Sequence, residues 1–176
     1  MTTLIVWRHP KPVGARGRCI GRTDLPVDPR RAKRLAHRIR AHVRRAGGPR
    51  IVLTSPLERC AAVGRCLRRF GFLHRIDADL AEMNFGDWEG LPWANIGIEK
   101  VRAWEDDFMH HAPGGGESLA QVFERMQRFV AAQSGLCLVV GHAGWINAWL
   151  RLQQQPPTVP SASTWPAPPR YGRQVT

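Results

Sequence analysis

The sequence predicts an α/β fold in which helices cover both faces of a mainly parallel sheet. Three short apolar runs, at residues 4–8, 51–54 and 136–140, have the length and composition of buried strands. Segments with the apolar spacing of helices lie between them, and strands that alternate with helices form parallel sheets. A chain of 176 residues with 43% hydrophobic residues can bury a full core, and we expect one domain over residues 1–152.

In the first half of the chain, proline and glycine mark where the elements end. The residue before a proline avoids helical geometry, so the first strand is expected to stop at the His9-Pro10 pair. Ser55, Pro56 and Glu58 match the N-cap, first-turn and capping-box preferences of a helix start. In chain order we expect a strand at 4–8, a long loop at 10–29, a helix at 29–47, a strand at 51–54, a helix from Ser55 to about Phe70 and a short strand at 75–77.

The second half begins with a tryptophan-containing region that has no clear periodicity. A clear amphipathic helix and another buried strand follow it, and the chain then becomes rich in glutamine and proline. The expected elements are irregular or short-helical structure at 78–113, a helix at 118–133, a strand at 136–140, a helix at 145–152 and a tail at 153–176 with a possible final edge strand at 171–175.

The three strands deliver basic residues to their carboxyl ends. His9 comes directly after the first strand, beside Arg8, and His142 follows the last apolar run. Arg59 lies just beyond the second strand, in the first turn of the helix expected there. Ligands of open α/β sheets bind in the crevice beyond the carboxyl ends of the strands. The sequence therefore predicts a small cationic pocket that suits a phosphate group.

These residue types meet the needs of phosphate-monoester cleavage. Arginine forks bind phosphoryl oxygens in a bidentate manner, so Arg8, Arg59 and His142 can form the phosphate clamp. The imidazole of His9 can act as a nucleophile and form a covalent phosphohistidine. The leaving oxygen then needs a proton from an aspartic or glutamic acid on a different loop.

Five segments carry a resemblance to a known family. They are residues 6–9 (Val-Trp-Arg-His), 54–59, 80–90, 115–118 and 140–144 (Val-Gly-His-Ala-Gly). In this order they resemble the motifs of the histidine phosphatase superfamily, in its phosphoglycerate-mutase-like branch. The resemblance implies a three-layer α/β/α sandwich, His9 as phosphate acceptor and Arg8, Arg59 and His142 as the phosphate pocket. It also implies Glu82 as general acid, no metal and no other cofactor.

The surroundings of Glu82 and the first loop qualify that assignment. Asp79, Asp87 and Glu89 lie near Glu82 in sequence and are alternative acids. Pro10 stands where the family usually has glycine, so one backbone N–H is missing. The usual neutral phosphate donors of the first loop are also absent. We expect basic residues of this loop to compensate, among them Lys11, Arg16, Arg18 and Arg22.

Residues 17–26 and 85–90 resemble most those of the α-ribazole phosphatases of cobalamin synthesis. That resemblance implies α-ribazole-5′-phosphate as the substrate. Sugar-phosphate phosphatases and phosphoglycerate mutases carry related segments, so an enzyme of either kind is an alternative. A catalytically weak member that only binds a phosphorylated ligand is a further alternative, because of Pro10 and the missing donors.

The net charge of +12 comes mainly from arginine and raises the alternative of a nucleic-acid-associated protein. In the helix expected at 29–47, the apolar residues share one face and arginines fill much of the rest, as in a solvated basic helix. Charge alone gives non-specific attraction and no base recognition. We therefore expect a small phosphorylated substrate and no specific nucleic-acid partner.

The remaining composition favours a cytoplasmic protein without a membrane partner. No apolar run approaches the length of about 20 residues that crosses a bilayer. The first residues do not have the pattern of a signal peptide. The four cysteines show no metal-binding spacing, and we expect them to be reduced thiols. The sequence carries no prediction of the oligomeric state.

Overall fold

A five-stranded sheet lies between two layers of helices. The computed structural model describes residues 2–154 and 159–175. The elements are β1 (Thr3–Arg8), α1 (Pro29–Ala46), β2 (Ile51–Thr54), α2 (Glu58–Arg68), β3 (Leu73–Ile76), α3 (Trp93–Ile96), α4 (Ile98–Asp106), α5 (Leu119–Ala131), β4 (Leu136–Gly141), α6 (Ala143–Leu152) and β5 (Gln174–Val175). Short 3₁₀ turns cover Ala78–Leu80, Gly86–Trp88, Pro113–Gly115 and Ala162–Thr164.

The sheet has the strand order β3-β2-β4-β1-β5. The pairs β2–β3, β2–β4 and β1–β4 are parallel, and β5 pairs with β1 in the antiparallel direction. Helical crossovers connect the parallel strands, as the alternation of strand and helix in the sequence requires. The predicted α/β fold with a mainly parallel sheet is confirmed.

The side chains of the central strands alternate between two cores. Val6 and Val139 pack in the core on the side of α5 and α6. Trp7 and Val140 pack in the core on the side of α1 and α2. Successive residues of a strand point to opposite faces, so a strand buried on both sides reads as one continuous apolar run. These two cores give the three layers of an α/β/α sandwich.

Several predicted boundaries were wrong, among them the start of α6, which is Ala143 instead of residue 145. Helix α2 begins at Glu58 instead of near Ser55, and its N-cap residue Leu57 makes no side-chain capping bond. The hydroxyl of Ser55 is instead hydrogen-bonded to His142, at a distance of 2.7 Å. Strand β3 covers Leu73–Ile76 and not 75–77, because its register is set by parallel pairing with the whole of β2.

The parallel register brings the predicted junctions to one edge of the sheet. Arg8 at the end of β1 is paired with Gly141 at the end of β4. Thr54 at the end of β2 is paired with Val140. His9, Ser55 and His142 each follow one of these strand ends, so they meet above the centre of the sheet.

The segment 159–175 returns across the carboxyl edge of the sheet. The expected edge strand at 171–175 is present but shorter, since only Gln174 and Val175 form β5. Residues 155–158, in the glutamine- and proline-rich stretch, lie outside the described residues. Within the ranges 2–154 and 159–175, no helix combines the length and apolarity that a membrane crossing requires.

Candidate active site

His9 lies at the end of β1 and is almost completely buried, with 4% of its surface exposed. Its Nδ1 atom lies 2.7 Å from the carbonyl oxygen of Pro10. A carbonyl oxygen can only accept a hydrogen bond, so Nδ1 carries the proton of the ring. Burial and the nearby cations of Arg59 and Arg8 hold the pKa of His9 well below its usual value, against the opposing effect of the Pro10 bond. The ring is therefore neutral, and Nε2 keeps its lone pair.

His142 lies beside His9, with 5.0 Å between the ring centroids. The Nε atom of Arg59 donates to Nδ1 of His142 at 3.2 Å. The Nε2 atom of His142 lies 2.7 Å from Ser55 Oγ. An arginine N–H can only donate, so Nδ1 accepts and the proton of the neutral ring is on Nε2. Burial, followed by the nearby His9 and arginines, holds the pKa of His142 well below its usual value.

Arg59 is buried and spans the site from α2 to the first loop. Besides its bond to His142, its two Nη atoms donate to the carbonyl oxygens of Thr23 and Gly21, at 2.8 and 2.5 Å. A guanidinium group has five N–H donors, so two remain for a ligand. Arg59 lines the same cavity as His9.

Arg8 faces the cavity from the end of β1, but the C-terminal segment holds it. Its guanidinium carbon lies 3.7 Å from the centroid of the Tyr171 ring, and its Nη1 atom donates to the carbonyl oxygen of Pro169. Its buried Nε atom has no hydrogen-bond partner among the described residues. Burial lowers the pKa of Arg8, although Tyr171 and Glu82 oppose this effect.

Glu82 is the predicted acid that lies in the cavity together with His9 and Arg8. Its carboxylate accepts hydrogen bonds from the backbone N–H groups of Gly144 and Trp145, at 3.0 and 3.2 Å. The carboxylate of Glu82 therefore lies at the N-terminal end of α6, whose N-cap residue is His142. The N–H of Met83 also donates to it, at 3.2 Å.

The three alternative acids have other environments. Glu89 accepts from the backbone N–H groups of Gly21, Arg22, Thr23 and Phe85 and from the Thr23 hydroxyl. These bonds lower the pKa of Glu89 although burial raises it, and they tie the first loop to the loop that carries Glu82. Asp79 pairs with Arg128 at the surface, and Asp87 lines a separate hollow together with Trp88.

Of the first-loop residues that we expect to bind phosphate, Arg18 and Arg22 differ in position. Arg18 lines the cavity, and its Nη1 atom donates to the carbonyl oxygen of Gly90 at 3.0 Å. Arg22 donates through Nε to the carbonyl oxygen of Glu82 at 2.7 Å and lies 3.8 Å from Glu117. In this structure the Arg22 guanidinium thus supports the loop of Glu82.

Sequence reasoning missed the buried pair of Arg125 and Glu117. Arg125 donates to both carboxylate oxygens of Glu117, at 2.7 and 3.1 Å, and to the carbonyl oxygens of Asp79 and Ala81. It thereby fixes the backbone that leads into Glu82. The sequence did indicate that Arg125 is buried, because it lies three residues after Val122 and four before Phe129, on the apolar face of its helix.

Ser55 and Tyr171 were also missed as site residues. The sequence predicts Ser55 to be a helix cap, whereas its contact with His142 joins residues that are 87 positions apart. The ring of Tyr171 lies 5.5 Å from that of His9. A lone tyrosine in a proline-rich tail gives no sequence signal of such a position.

The site opens into a cavity of about 610 Å³. Its charged end contains Arg8, His9, Arg59 and Glu82, and most of the remaining lining is apolar. Among residues 2–154 and 159–175, no group of three or more His, Cys, Asp or Glu side chains is placed to hold a metal ion. All four cysteines are free thiols.

Comparisons with known proteins agree with this geometry. The family model of the histidine phosphatase superfamily (branch 1) matches residues 4–162. The adenosylcobalamin/alpha-ribazole phosphatase of Escherichia coli (strain K12) is 34% identical over 106 residues, which are 55% of this chain and 52% of that protein. The chain spans between 33% and 59% of the length of the curated relatives that it matches.

Solved structures show the same fold. TTHB049 from Thermus thermophilus has a TM-score of 0.68 and 30% identity, over 84% of this chain and 82% of that one. The mycobacterial glucosyl-3-phosphoglycerate phosphatase Rv2419c has a TM-score of 0.68 and 26% identity, over 85% of this chain and 77% of that one. Both are similar in the fold that carries the site described above.

Proposed function

Because the chain belongs to the histidine phosphatase superfamily, we propose that it is a phosphomonoesterase that works through a phosphohistidine on His9. The observation that carries the proposal is the hydrogen bond from His9 Nδ1 to Pro10, at 2.7 Å. It puts the proton on Nδ1 and leaves the lone pair of Nε2 for attack on phosphorus. The bond uses only the carbonyl group of Pro10, so the proline keeps this feature although it lacks an N–H.

In the first step, Nε2 of His9 attacks the phosphorus atom of the bound ester. The P–N bond forms while the P–O bond to the alcohol breaks, and protonated Glu82 gives its proton to the leaving oxygen. Arg8 and Arg59, which both line the cavity, stabilise the charge on the phosphoryl oxygens through their N–H groups. The products of this step are the free alcohol, phosphohistidine and the carboxylate of Glu82.

In the second step, a water molecule attacks the phosphohistidine. The Glu82 carboxylate takes a proton from the water, the new P–O bond forms, and the P–N bond breaks. Inorganic phosphate leaves, His9 regains its lone pair, and Glu82 is again protonated. In both steps, arginine side chains supply the positive charge that stabilises the phosphoryl oxygens. The proposed reaction therefore needs neither a metal nor another cofactor.

His142 has two roles in this proposal, because it positions Arg59 and also binds phosphate. Its Nδ1 atom accepts a hydrogen bond from Arg59 and so helps to hold that arginine in place. We expect it to bind phosphate as well, which requires a proton on Nδ1 and the release of that bond. Arg18 is proposed to reach the phosphate from the first loop, whereas Arg22 must first leave its contacts with Glu82 and Glu117.

The specific substrate that we propose is α-ribazole-5′-phosphate, in cobalamin synthesis. Support comes from the Escherichia coli relative named adenosylcobalamin/alpha-ribazole phosphatase and from the resemblance of residues 17–26 and 85–90. A sugar-phosphate phosphatase is the second candidate, because relatives named glucosyl-3-phosphoglycerate phosphatase also match, at 36% identity over 87 residues. We expect the enzyme to act in the cytoplasm, because free thiols such as its four cysteines are typical of that compartment.

Turnover assays test this function directly. The full chain should hydrolyse p-nitrophenyl phosphate in the presence of EDTA, and His9→Ala should abolish that activity while leaving the fold intact. Among natural esters, α-ribazole-5′-phosphate should have a higher kcat/KM than glucosyl-3-phosphoglycerate. Turnover that requires Mg²⁺ would contradict the mechanism, and binding of phosphate esters without turnover would favour a ligand-binding member.

A further inference from the structure

A continuous series of aromatic rings lines the cavity away from His9. Phe85 lies between Trp93 and Trp104, with ring centroids 6.2 and 5.8 Å away. Trp104 lies 5.4 Å from Phe108, which in turn lies 5.5 Å from Trp165. All five side chains line the cavity, and we call them the aromatic wall.

The aromatic wall is larger than a phosphate group needs. The cavity of about 610 Å³ falls within the range of about 300–1,000 Å³ that is typical of sites for whole small molecules. Two cationic groups of the lining, Arg8 and Arg59, lie at the end that contains His9, whereas Arg18 and Glu105 add charge elsewhere along a mainly apolar lining. A small hydroxylated alcohol would fill that end and leave the aromatic wall in contact with water, so the wall suits an apolar group.

The C-terminal segment completes the wall. Trp165 lies beyond residue 162, where the match to the superfamily model ends. The segment around it is anchored on the domain, because Asn147 donates to the carbonyl oxygen of Pro166 at 2.8 Å and Arg8 donates to that of Pro169. Farther on, the N–H of Gly172 donates to the carbonyl oxygen of Arg8 at 3.0 Å. Trp165 is thus held in place across the cavity.

We infer that the aromatic wall binds a flat aromatic group on the alcohol of the substrate, and that Trp104 and Trp165 determine this specificity. The inference rests on the proposed phosphomonoesterase function and adds which residues select the alcohol, since α-ribazole, the alcohol of the substrate proposed above, itself carries a flat aromatic group. The phosphate lies among Arg8, His9 and Arg59, and the aromatic group of the alcohol stacks on the wall. Stacking of a flat ring on an aromatic side chain tolerates many ring types, so the wall selects a class of esters.

Adenosine 5′-monophosphate and ribose 5-phosphate test the inference as a matched pair. Both have the same primary alcohol as the leaving group, and only the first carries an aromatic base. We expect kcat/KM to be at least about fivefold higher for the nucleotide, the lower end of what stacking one base contributes. An equal kcat/KM for the two esters would overturn the inference and leave the phosphatase function intact.

Substitutions test whether the aromatic wall causes the preference for the nucleotide over ribose 5-phosphate. Trp165→Ala should bring the ratio of the two kcat/KM values close to one, and Trp165→Phe should retain most of the preference. Ile98→Ala is the matched control, since Ile98 is an exposed apolar residue outside the wall. If Trp165→Ala does not fold, Trp93→Ala should lower the ratio, because Trp93 is already 41% exposed.

Binding to the His9→Asn variant separates the two proposals. Calorimetry should again show at least about fivefold tighter binding of the nucleotide than of ribose 5-phosphate, whether or not the chain is an active phosphatase. If the wild type shows no turnover but the nucleotide still binds more tightly than ribose 5-phosphate, only the proposed function is rejected. Equal affinities for the two ligands would reject the aromatic-wall specificity alone.

Discussion

The carboxylate of Glu82 rests directly on the backbone of Gly144. The N–H of Gly144 donates to Oε2 at 3.0 Å, and a Cβ atom at position 144 would lie 2.6 Å from Oε1. The glycine after His142 and Ala143 therefore makes room for the acid. This contact links the third strand junction of the site to a loop 62 residues earlier in the chain.

Gly144→Ala should lower activity without unfolding the chain. The added methyl group meets the end of a flexible side chain, so the Glu82 carboxylate moves and the helix stays. Misplacement of a reacting group by about 1 Å costs on the order of 10²-fold in rate. Gly141→Ala is the matched control, because its Cβ meets atoms no closer than 3.8 Å. Similar kcat/KM values for the two variants would contradict the close contact with Glu82.

Glu82→Gln should show how Glu82 acts in the reaction. If Glu82 protonates the leaving oxygen, alkyl phosphates should lose about 10²–10⁴-fold in rate, and p-nitrophenyl phosphate much less, because its leaving group scarcely needs a proton. Glu89→Gln is the control, since Glu89 holds the first loop by hydrogen bonds to Gly21, Arg22 and Thr23. Glu89→Gln should lower the rates of hydrolysis of both substrates by the same factor. Equal losses for Glu82→Gln would assign it a structural role.

Arg125→Met should strongly destabilise the fold. The substitution removes the closer cation of the half-buried Glu117 carboxylate, which then keeps only Arg22 at 3.8 Å, and it leaves the carbonyl groups of Asp79 and Ala81 without their donor. Removal of one partner of a buried pair costs about 3–5 kcal/mol. Arg128→Met, on the same helix, removes a pair whose arginine side chain is 66% exposed, and it should leave the free energy of unfolding nearly unchanged. Urea unfolding measures both, and equal costs would contradict this difference.

The free energy of unfolding should fall as the pH drops below about 6.5, the usual pKa of histidine. His9 and His142 stay neutral in the fold because burial and nearby arginines lower their pKa values. The unfolded chain then binds more protons than the folded chain, which favours unfolding at lower pH. Each histidine contributes up to about 1.4 kcal/mol per pH unit. Urea unfolding between about pH 7.5 and about pH 5.5 tests this, and a constant value would contradict it.

The parts of this fold that local chemistry dictates were predictable. Apolar runs gave the strands β1, β2 and β4, and the predicted buried face of α1 is confirmed by Leu35, Ile39 and Val43. The positions of His9 and His142 at adjacent strand ends follow from the same reasoning, because parallel strands put their carboxyl ends on one edge.

The parts that depend on distant contacts were not predictable. Ser55 has the chemistry of a helix cap, and only its approach to His142 turns its hydroxyl toward the site. The stacking of Tyr171 on Arg8 joins the two ends of the chain, and no local pattern encodes it. That Glu82 shares a cavity with His9, whereas Asp79, Asp87 and Glu89 do not line that cavity, likewise depends on distant contacts.

The most direct test of the account is a search for phosphohistidine on His9. A rapid acid-free quench of the enzyme with ³²P-labelled substrate, followed by denaturation at alkaline pH, should trap a phosphoenzyme that is stable to base and labile to acid. Peptide mapping should place the label on His9, and His9→Ala should lose it together with turnover. The label should persist with EDTA present. Steady turnover with no label on His9, or turnover retained in His9→Ala, would contradict the account.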